Sequence, residues 1–306
     1  MISEPKRVPK TLLLSFADGT DEFVRAGERL EGQAKRFGLF SEVVVLDAAK
    51  VASLSEEYAS HVADWQLLDR FPIYFRAAKA FAVKAALEGN FGDFDVVLYV
   101  DAGCELNFNS WTKQVLEREI ISSYNKGGLA EQIRMPEYLW TKPSLARALN
   151  STEENLISGQ MQATWSFWRV NSANLNTARL WCELSNPDLG YWQDPREPCC
   201  LGHNHNHRRD QSIFSLLWKK LDMPSRPYLI DFETGGAFAN YRMLALPILT
   251  IRNRTGHSQL ALPTPHWILC AIAWSVNWLN ARTRFLIFSL FQRQADLPNC
   301  FRLNVN

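Results

Sequence analysis

Short apolar runs alternate along this chain with segments whose apolar residues recur at helical spacing. Thr11 to Phe16, Val43 to Leu46 and Val96 to Val100 are runs rich in leucine, β-branched and aromatic residues. Such runs read as strands buried on both faces of a parallel sheet. Between the first two, Phe23, Val24, Ala26, Leu30, Ala34 and Phe37 fall at helical intervals, and Gly38 ends the segment. The chain thus opens strand, helix, strand, which predicts an α/β fold with a parallel start. A helix is expected over 55–69, where Ser55, Glu56 and Glu57 suit the positive end of the dipole. Phe71-Pro72 breaks it. An alanine-rich helix follows over 74–88, with Arg76, Lys79 and Lys84 as its charged members.

Further on the pattern predicts helices over 111–123, 171–184 and 209–221, a helix start at Ser151 to Glu154, and strands over 161–170 and 228–230. Lys126-Gly127-Gly128 reads as a loop, and 134–155 as a mixed stretch broken by Pro136 and Pro143. Residues 186–207 form a long polar stretch, a length usual for functional loops. From Pro265 the character changes. Trp267 to Leu279 and Phe285 to Phe291 are apolar, with Arg282 and Arg284 between them. Each run is shorter than the roughly 20 residues that span a bilayer. Trp267, Trp274 and Trp278 form one helical stripe. That stripe suits an interfacial helix with arginines at the headgroups, or a C-terminal helix pair packed on the core or on a second subunit. The expected division is a main domain over 1–260 and an amphipathic helical extension over 261–306.

Composition narrows the function classes. The chain has 306 residues, 47% of them apolar, with 33 basic and 32 acidic residues. That supports a sizeable core. It argues against sequence-independent nucleic-acid binding, which needs a basic patch. The start at Lys6 to Phe16 carries too short an apolar run, followed by Asp18 and Asp21, to match a signal peptide, and is read as the first strand. Six cysteines, two of them adjacent and without repeated short spacing, argue against a disulfide framework, and a reducing cytoplasm is the default.

Asp101 ends the Val96 to Val100 run. It either begins a turn with Gly103 or binds a metal or ribose at the carboxyl end of a strand, where open α/β sheets place ligands. Arg76 and Lys79 lie three apart and share a helix side. Asp210 begins a helix, so it can cap that helix or serve as a general base. Asp194 and Glu197 are rival bases. His203, His205 and His207 alternate near Cys199 and Cys200, which leaves a zinc-dependent hydrolase as a weaker alternative. Gln160 and Gln162 precede Trp165 and Trp168, a pairing of amides and aromatics found in sugar sites and equally in cores.

The order of these signals resembles a nucleotide-sugar glycosyltransferase of the GT-A fold, and bacterial surface-polysaccharide glycosyltransferase-like proteins in particular. The matching parts are Ser15-Phe16-Ala17-Asp18-Gly19, the helix around Arg76 and Lys79, Leu98 to Cys104, Met135-Pro136-Glu137, and His207 to Ser212. Together they lie within residues 10–257. The resemblance implies a Rossmann-type mixed sheet flanked by helices. It implies transfer of a sugar from a nucleotide sugar, a UDP-sugar in the first place, to a glycan or lipid-linked acceptor. A divalent cation, manganese or magnesium, is implied as the Lewis acid on the diphosphate. In that family the metal sits on an Asp-any-Asp motif. Its first position falls on Asp101 and its second on Gly103, so Glu105 and His257 become the further metal candidates. Ser15, Phe16, Ala17, Asp18, Arg76, Lys79, Arg252 and Arg254 are the implied nucleotide contacts, and Asp210 with Asp101 the implied catalytic pair. The C-terminal stretch 265–291 is a candidate peripheral contact at the inner face of the membrane. A degenerate, non-catalytic binding protein of the same fold is the alternative that Gly103 keeps open.

Overall fold

A computed structural model describes residues 7–68, 73–186, 189–191, 208–228, 245–250 and 267–292. Strand β1 (Thr11–Phe16), helix α1 (Asp21–Phe37), β2 (Glu42–Leu46), α2 (Ala48–Leu54), α3 (Glu56–Leu68) and α4 (Ile73–Leu87) lead into β3 (Val96–Val100). A two-residue strand β4 (Glu105–Leu106) precedes α5 (Ser110–Lys126) and β5 (Gly128–Pro136). Short helices α6 (Pro143–Ala148) and α7 (Glu153–Ile157) come before β6 (Gly159–Arg169) and α8 (Ser172–Leu184). Then follow α9 (Arg209–Lys220), β7 (Ser225–Pro227), β8 (Ile248–Leu249) and α10 (Trp267–Gln292).

Six strands form one sheet in the order β2-β1-β3-β6-β5-β7. β1 pairs in parallel with β2 and β3, and β5 in parallel with β7. β6 runs antiparallel to both β3 and β5. One reversed strand in an otherwise parallel sheet flanked by helices is the GT-A-like mixed α/β architecture expected. β4 and β8 make a separate two-stranded ribbon.

Alternation along β3 explains the two layers. Val97 and Tyr99 face a core shared with α4, α8 and α9, whereas Val96, Leu98 and Val100 face α1 and α5. All five are buried, so the run has no polar member, as a central strand covered on both faces requires. Three tryptophans of the second half, Trp168, Trp181 and Trp218, serve the first core. Trp168 stacks on Trp181 at 6.2 Å and meets Trp218 edge-on at 5.0 Å.

Helix α1 packs tightly because Gly27 has no side chain. A Cβ there would lie 2.5 Å from the Ala17 Cβ and 3.1 Å from Val45 Cγ1. Gly27→Ala is therefore expected to lower stability by about 1–3 kcal/mol, the cost of overpacking, read as a shift in urea midpoint at unchanged slope.

The glycines at 127 and 128 do not make a flexible loop. Gly127 takes a left-handed φ of 94° and ends α5, and Gly128 already starts β5. A Cβ on Gly128 would meet Met223 Cε at 2.7 Å and the Phe167 carbonyl at 2.8 Å, so that glycine serves close packing. A short strand that the pattern does not predict lies at Ser225–Pro227, where Arg226 pairs with Glu131 of β5; of the strand expected over 228–230, Leu229 and Ile230 lie outside the described residues. The two C-terminal apolar runs form one continuous helix, α10, rather than a pair. Trp274 and Trp278 of the tryptophan stripe do not face outward. They pack on Leu246, Leu249 and Ala281.

Arg226 ties this end of the sheet together. Its guanidinium pairs with Glu119 of α5 and lies 3.1 Å from Glu131 of β5, over Trp165 at 5.0 Å and Trp274 at 6.0 Å. Burial pushes the Glu131 carboxyl from 4.5 to about 7; Arg226 opposes that rise and Glu119 adds to it. A carboxyl raised on folding binds its proton more tightly in the folded state. Its contribution to stability is thus full below the ordinary glutamate value and is lost as pH rises through about 7. Glu131→Gln is expected to flatten the fall in melting temperature between pH 4.5 and about 7. An unchanged slope would move that dependence to another group.

Candidate active site

The loop after β3 is held from three sides. The Asp101 backbone N–H donates to the Thr164 carbonyl at 2.8 Å, and the Cys104 N–H to the Asp101 carbonyl at 2.9 Å. Arg29 of α1 donates to the carbonyls of Ala102 at 3.0 Å and Cys104 at 2.8 Å. Asp101 does begin a turn, as the first of its two sequence readings held. Its side chain, however, is committed elsewhere.

Lys79 of α4 reaches the end of β3 from beneath. Its Nζ lies 2.8 Å from Asp101 Oδ1 and 3.4 Å from Asp210 Oδ2, and donates to the Ala163 carbonyl at 2.8 Å. The Tyr99 ring faces it at 5.2 Å. The lysine side chain is 8% exposed, against 18% for Asp210 and 38% for Asp101. So the ammonium sits behind two carboxylates, and the carboxylates present themselves to solvent. Three acceptors match the three protons of a lysine ammonium. Burial works against that charge, yet Asp101 and Asp210 together raise the Lys79 pKa above its usual value. Burial also pushes the Asp101 carboxyl up; Lys79 opposes this and Asp210 reinforces it. A partly exposed carboxylate with a raised pKa suits proton transfer better than an ordinary one.

Asp210 lies in the first turn of α9, and no side chain caps that helix. Its carboxylate meets the Lys79 ammonium, with the helix dipole favouring its charge. The residue before it, Arg209, has φ of 42°, in the left-handed region that non-glycine residues avoid. Such strain persists only where the surroundings over-determine it, and here they do. The Trp140 carbonyl accepts from the Arg208 N–H at 3.1 Å and from the Ser212 hydroxyl at 2.6 Å. The Arg208 guanidinium stacks on the Trp140 ring at 4.4 Å. Gln160 donates to Ser212 Oγ at 3.2 Å and to Glu137 Oε1 at 3.0 Å, and accepts from Gln211 at 2.8 Å.

Glu137 anchors this network. It is fully buried, accepts from Thr141 at 2.5 Å and from Ser215, and pairs with Lys219 at 2.8 Å. Gln160, considered from sequence as a sugar-site amide, is fully buried and spends its amide here. Sequence reasoning gave Glu137 no role of its own. The available signal was a pair of serines, Ser212 and Ser215, three apart on the buried side of an otherwise apolar helix.

The remaining candidates are distributed as follows. Ser15 to Asp18 end β1, beside β3, so they share the edge on which Asp101 lies. Ser15 is fully buried, and its hydroxyl has no hydrogen-bond partner. Asp18 accepts from the Ala48 N–H at 2.7 Å and the Gly19 N–H at 2.5 Å, which ties the β1 and β2 loops together. Glu105 is fully buried in β4, and its charge acts on Arg29. Arg76 lies one turn before Lys79 on α4, its side chain outside the described residues. Arg252, Arg254, His257, Asp194, Glu197, Cys199, Cys200 and the three loop histidines are outside them too. Among the described residues no group of three or more His, Cys, Asp or Glu side chains converges as a metal site.

No family model matches the chain, and no curated protein matches it. Several solved structures are similar to it, among them the following two. The apo form of mouse xyloside xylosyltransferase 1 is 11% identical, with 71% of this chain and 84% of that one covered and a TM-score of 0.38. The apo form of the glycosyltransferase GlyE from Streptococcus pneumoniae TIGR4 is 15% identical, with 94% of this chain and 65% of that one covered and a TM-score of 0.36.

Proposed function

We propose that this chain transfers a sugar from a nucleotide-linked donor, a UDP-sugar by preference, to a hydroxyl of a glycan or lipid-linked acceptor. One observation carries the reading: Asp101 from the end of β3 and Asp210 from the start of α9 converge on one buried lysine, at the carboxyl edge of the parallel strands. Ligands of open α/β sheets bind at that edge. Ser15 to Asp18 share it and are proposed to line the nucleotide, with Arg76, Arg252 and Arg254 proposed to meet its diphosphate. Asp101, the more exposed carboxylate, is assigned to the donor side. Asp210 is assigned to the acceptor, as the base that takes the proton from its attacking hydroxyl. Lys79 fixes the spacing of the two and keeps them from repelling each other.

A divalent cation needs several oxygen ligands. Toward one, the described residues offer Asp101; position 103 is glycine, and Glu105 is buried beside Arg29. Among the described residues that set alone does not fit a cation site, His257 lying outside them, and no step is routed through a metal.

Calorimetric titration of UDP-sugars, with manganese and then with EDTA, tests the proposal. Binding below millimolar, weakened about ten-fold by Asp101→Asn (roughly 1.4 kcal/mol), is expected. No binding of any nucleotide sugar at millimolar concentration would overturn the reading. Binding without transfer to any acceptor would instead favour the degenerate, non-catalytic form of the fold.

A further inference from the structure

Helix α10 has two unlike sides. Trp274, Trp278 and Ala281 turn onto Leu246 and Leu249, and Asn277 is fully buried. The other side carries Ile272 at 55%, Val276 at 44%, Leu279 at 72%, Leu286 at 63% and Ile287 at 48% exposure. At 3.6 residues per turn these five fall within about 100° of the helix circumference and extend over roughly 22 Å of its length. Thr283, also exposed, interrupts this face between Leu279 and Leu286; apolar surface of this extent marks an interaction site. The helix contains no acidic residue, and Arg282 and Arg284 border the band, one on each side. The Arg282 guanidinium lies 4.6 Å over Trp278, which holds it at the rim. Among the described residues no helix is long and apolar enough to cross a membrane.

We infer that the Ile272 to Ile287 face of α10 lies in the plane of an anionic lipid surface, with Arg282 and Arg284 at the headgroups. An apolar band with cationic edges and no carboxylate matches the layered polarity of such a surface. Pairing the bands of two copies would put no carboxylate of α10 opposite either arginine, since the helix has none. The face that does this is opposite to the tryptophans, which are spent on the core. The inference stands on α10 alone. It extends the transferase reading, by bringing the chain to the surface where a lipid-linked acceptor resides, but does not depend on it.

Co-sedimentation with phosphatidylcholine vesicles, with and without phosphatidylserine, tests it. Binding is expected to require phosphatidylserine and to weaken as salt rises. Leu279→Asp with Leu286→Asp should cut partitioning at least ten-fold, with an unchanged far-UV circular dichroism spectrum. Arg282→Gln and Arg284→Gln should each cost about five-fold on anionic vesicles. No pelleting by the unaltered protein, or equal pelleting by the double aspartate variant, would overturn the inference. So would a concentration-dependent dimer in sedimentation velocity that Leu279→Asp abolishes, since the band would then serve a second copy. Nucleotide binding, measured on the same variants without vesicles, should be unaffected, so failure of one proposal is visible apart from failure of the other.

Discussion

Asp210→Asn is expected to lower the rate of sugar transfer about 10²–10⁴-fold, the range for loss of a general acid–base group, while nucleotide binding changes little. Asparagine has the same shape and keeps an oxygen for the Lys79 ammonium, which lies 3.4 Å from the present carboxylate. The α9 start is fixed by Trp140, Gln160 and Ser212 rather than by Asp210 itself, so the helix should stay in place. What the substitution removes is the ability to accept a proton. The loss should be carried by kcat rather than KM. A variant with full activity would take the base role from Asp210 and give it to Asp194 or Glu197.

Lys79→Met is expected to be the most destabilising of the single changes at the site, by about 3 kcal/mol. Methionine fills much the same volume, so the cost is electrostatic. Removing one partner of a buried ion pair costs about 3–5 kcal/mol because it strands the other charge. The low end applies because Asp101 is 38% and Asp210 18% exposed, so water screens part of what is stranded. The sign with pH follows from the same geometry. Without the ammonium, the Asp101 carboxyl is raised further by burial and by the Asp210 charge. The deficit should thus be largest at neutral pH, shrinking as acid protonates Asp101. Chemical denaturation of both forms across that range measures it. A deficit independent of pH would mean that Lys79 acts by packing alone. Transfer activity should fall in Lys79→Met even in the fraction that remains folded, because the spacing of Asp101 and Asp210 is lost.

Much of the frame was readable along the chain because β1, β2 and β3 are largely apolar and the longer helices carry their own period and stop. β1, β2, β3, α1, α3, α4, α8 and α9 lie within a few residues of where the pattern puts them. β5 was not readable. Its residues, Gly128 to Pro136, mix charged and apolar types. The charges are neutralised only by groups distant in sequence, as Glu131 is by Arg226. β4 and β8 are two residues long, too short to carry a period.

The site divides in the same way. Sequence alone put Asp101 at the end of a strand buried on both faces, Lys79 on an alanine-rich helix before it, and Asp210 at a helix start. Each of those follows from local spacing and composition. Their convergence is a tertiary fact: the partners are 22 and 131 residues from Lys79, distances that only sheet order and helix packing close. The burial of Lys79 was equally hidden, since a lysine three residues from an arginine reads as a solvated cation until the helix is seen covered on all sides. The C-terminal tryptophans show the limit most clearly. Their stripe set the period of α10, but a period has two sides, and contact with Leu246 and Leu249 decided which of them faces inward.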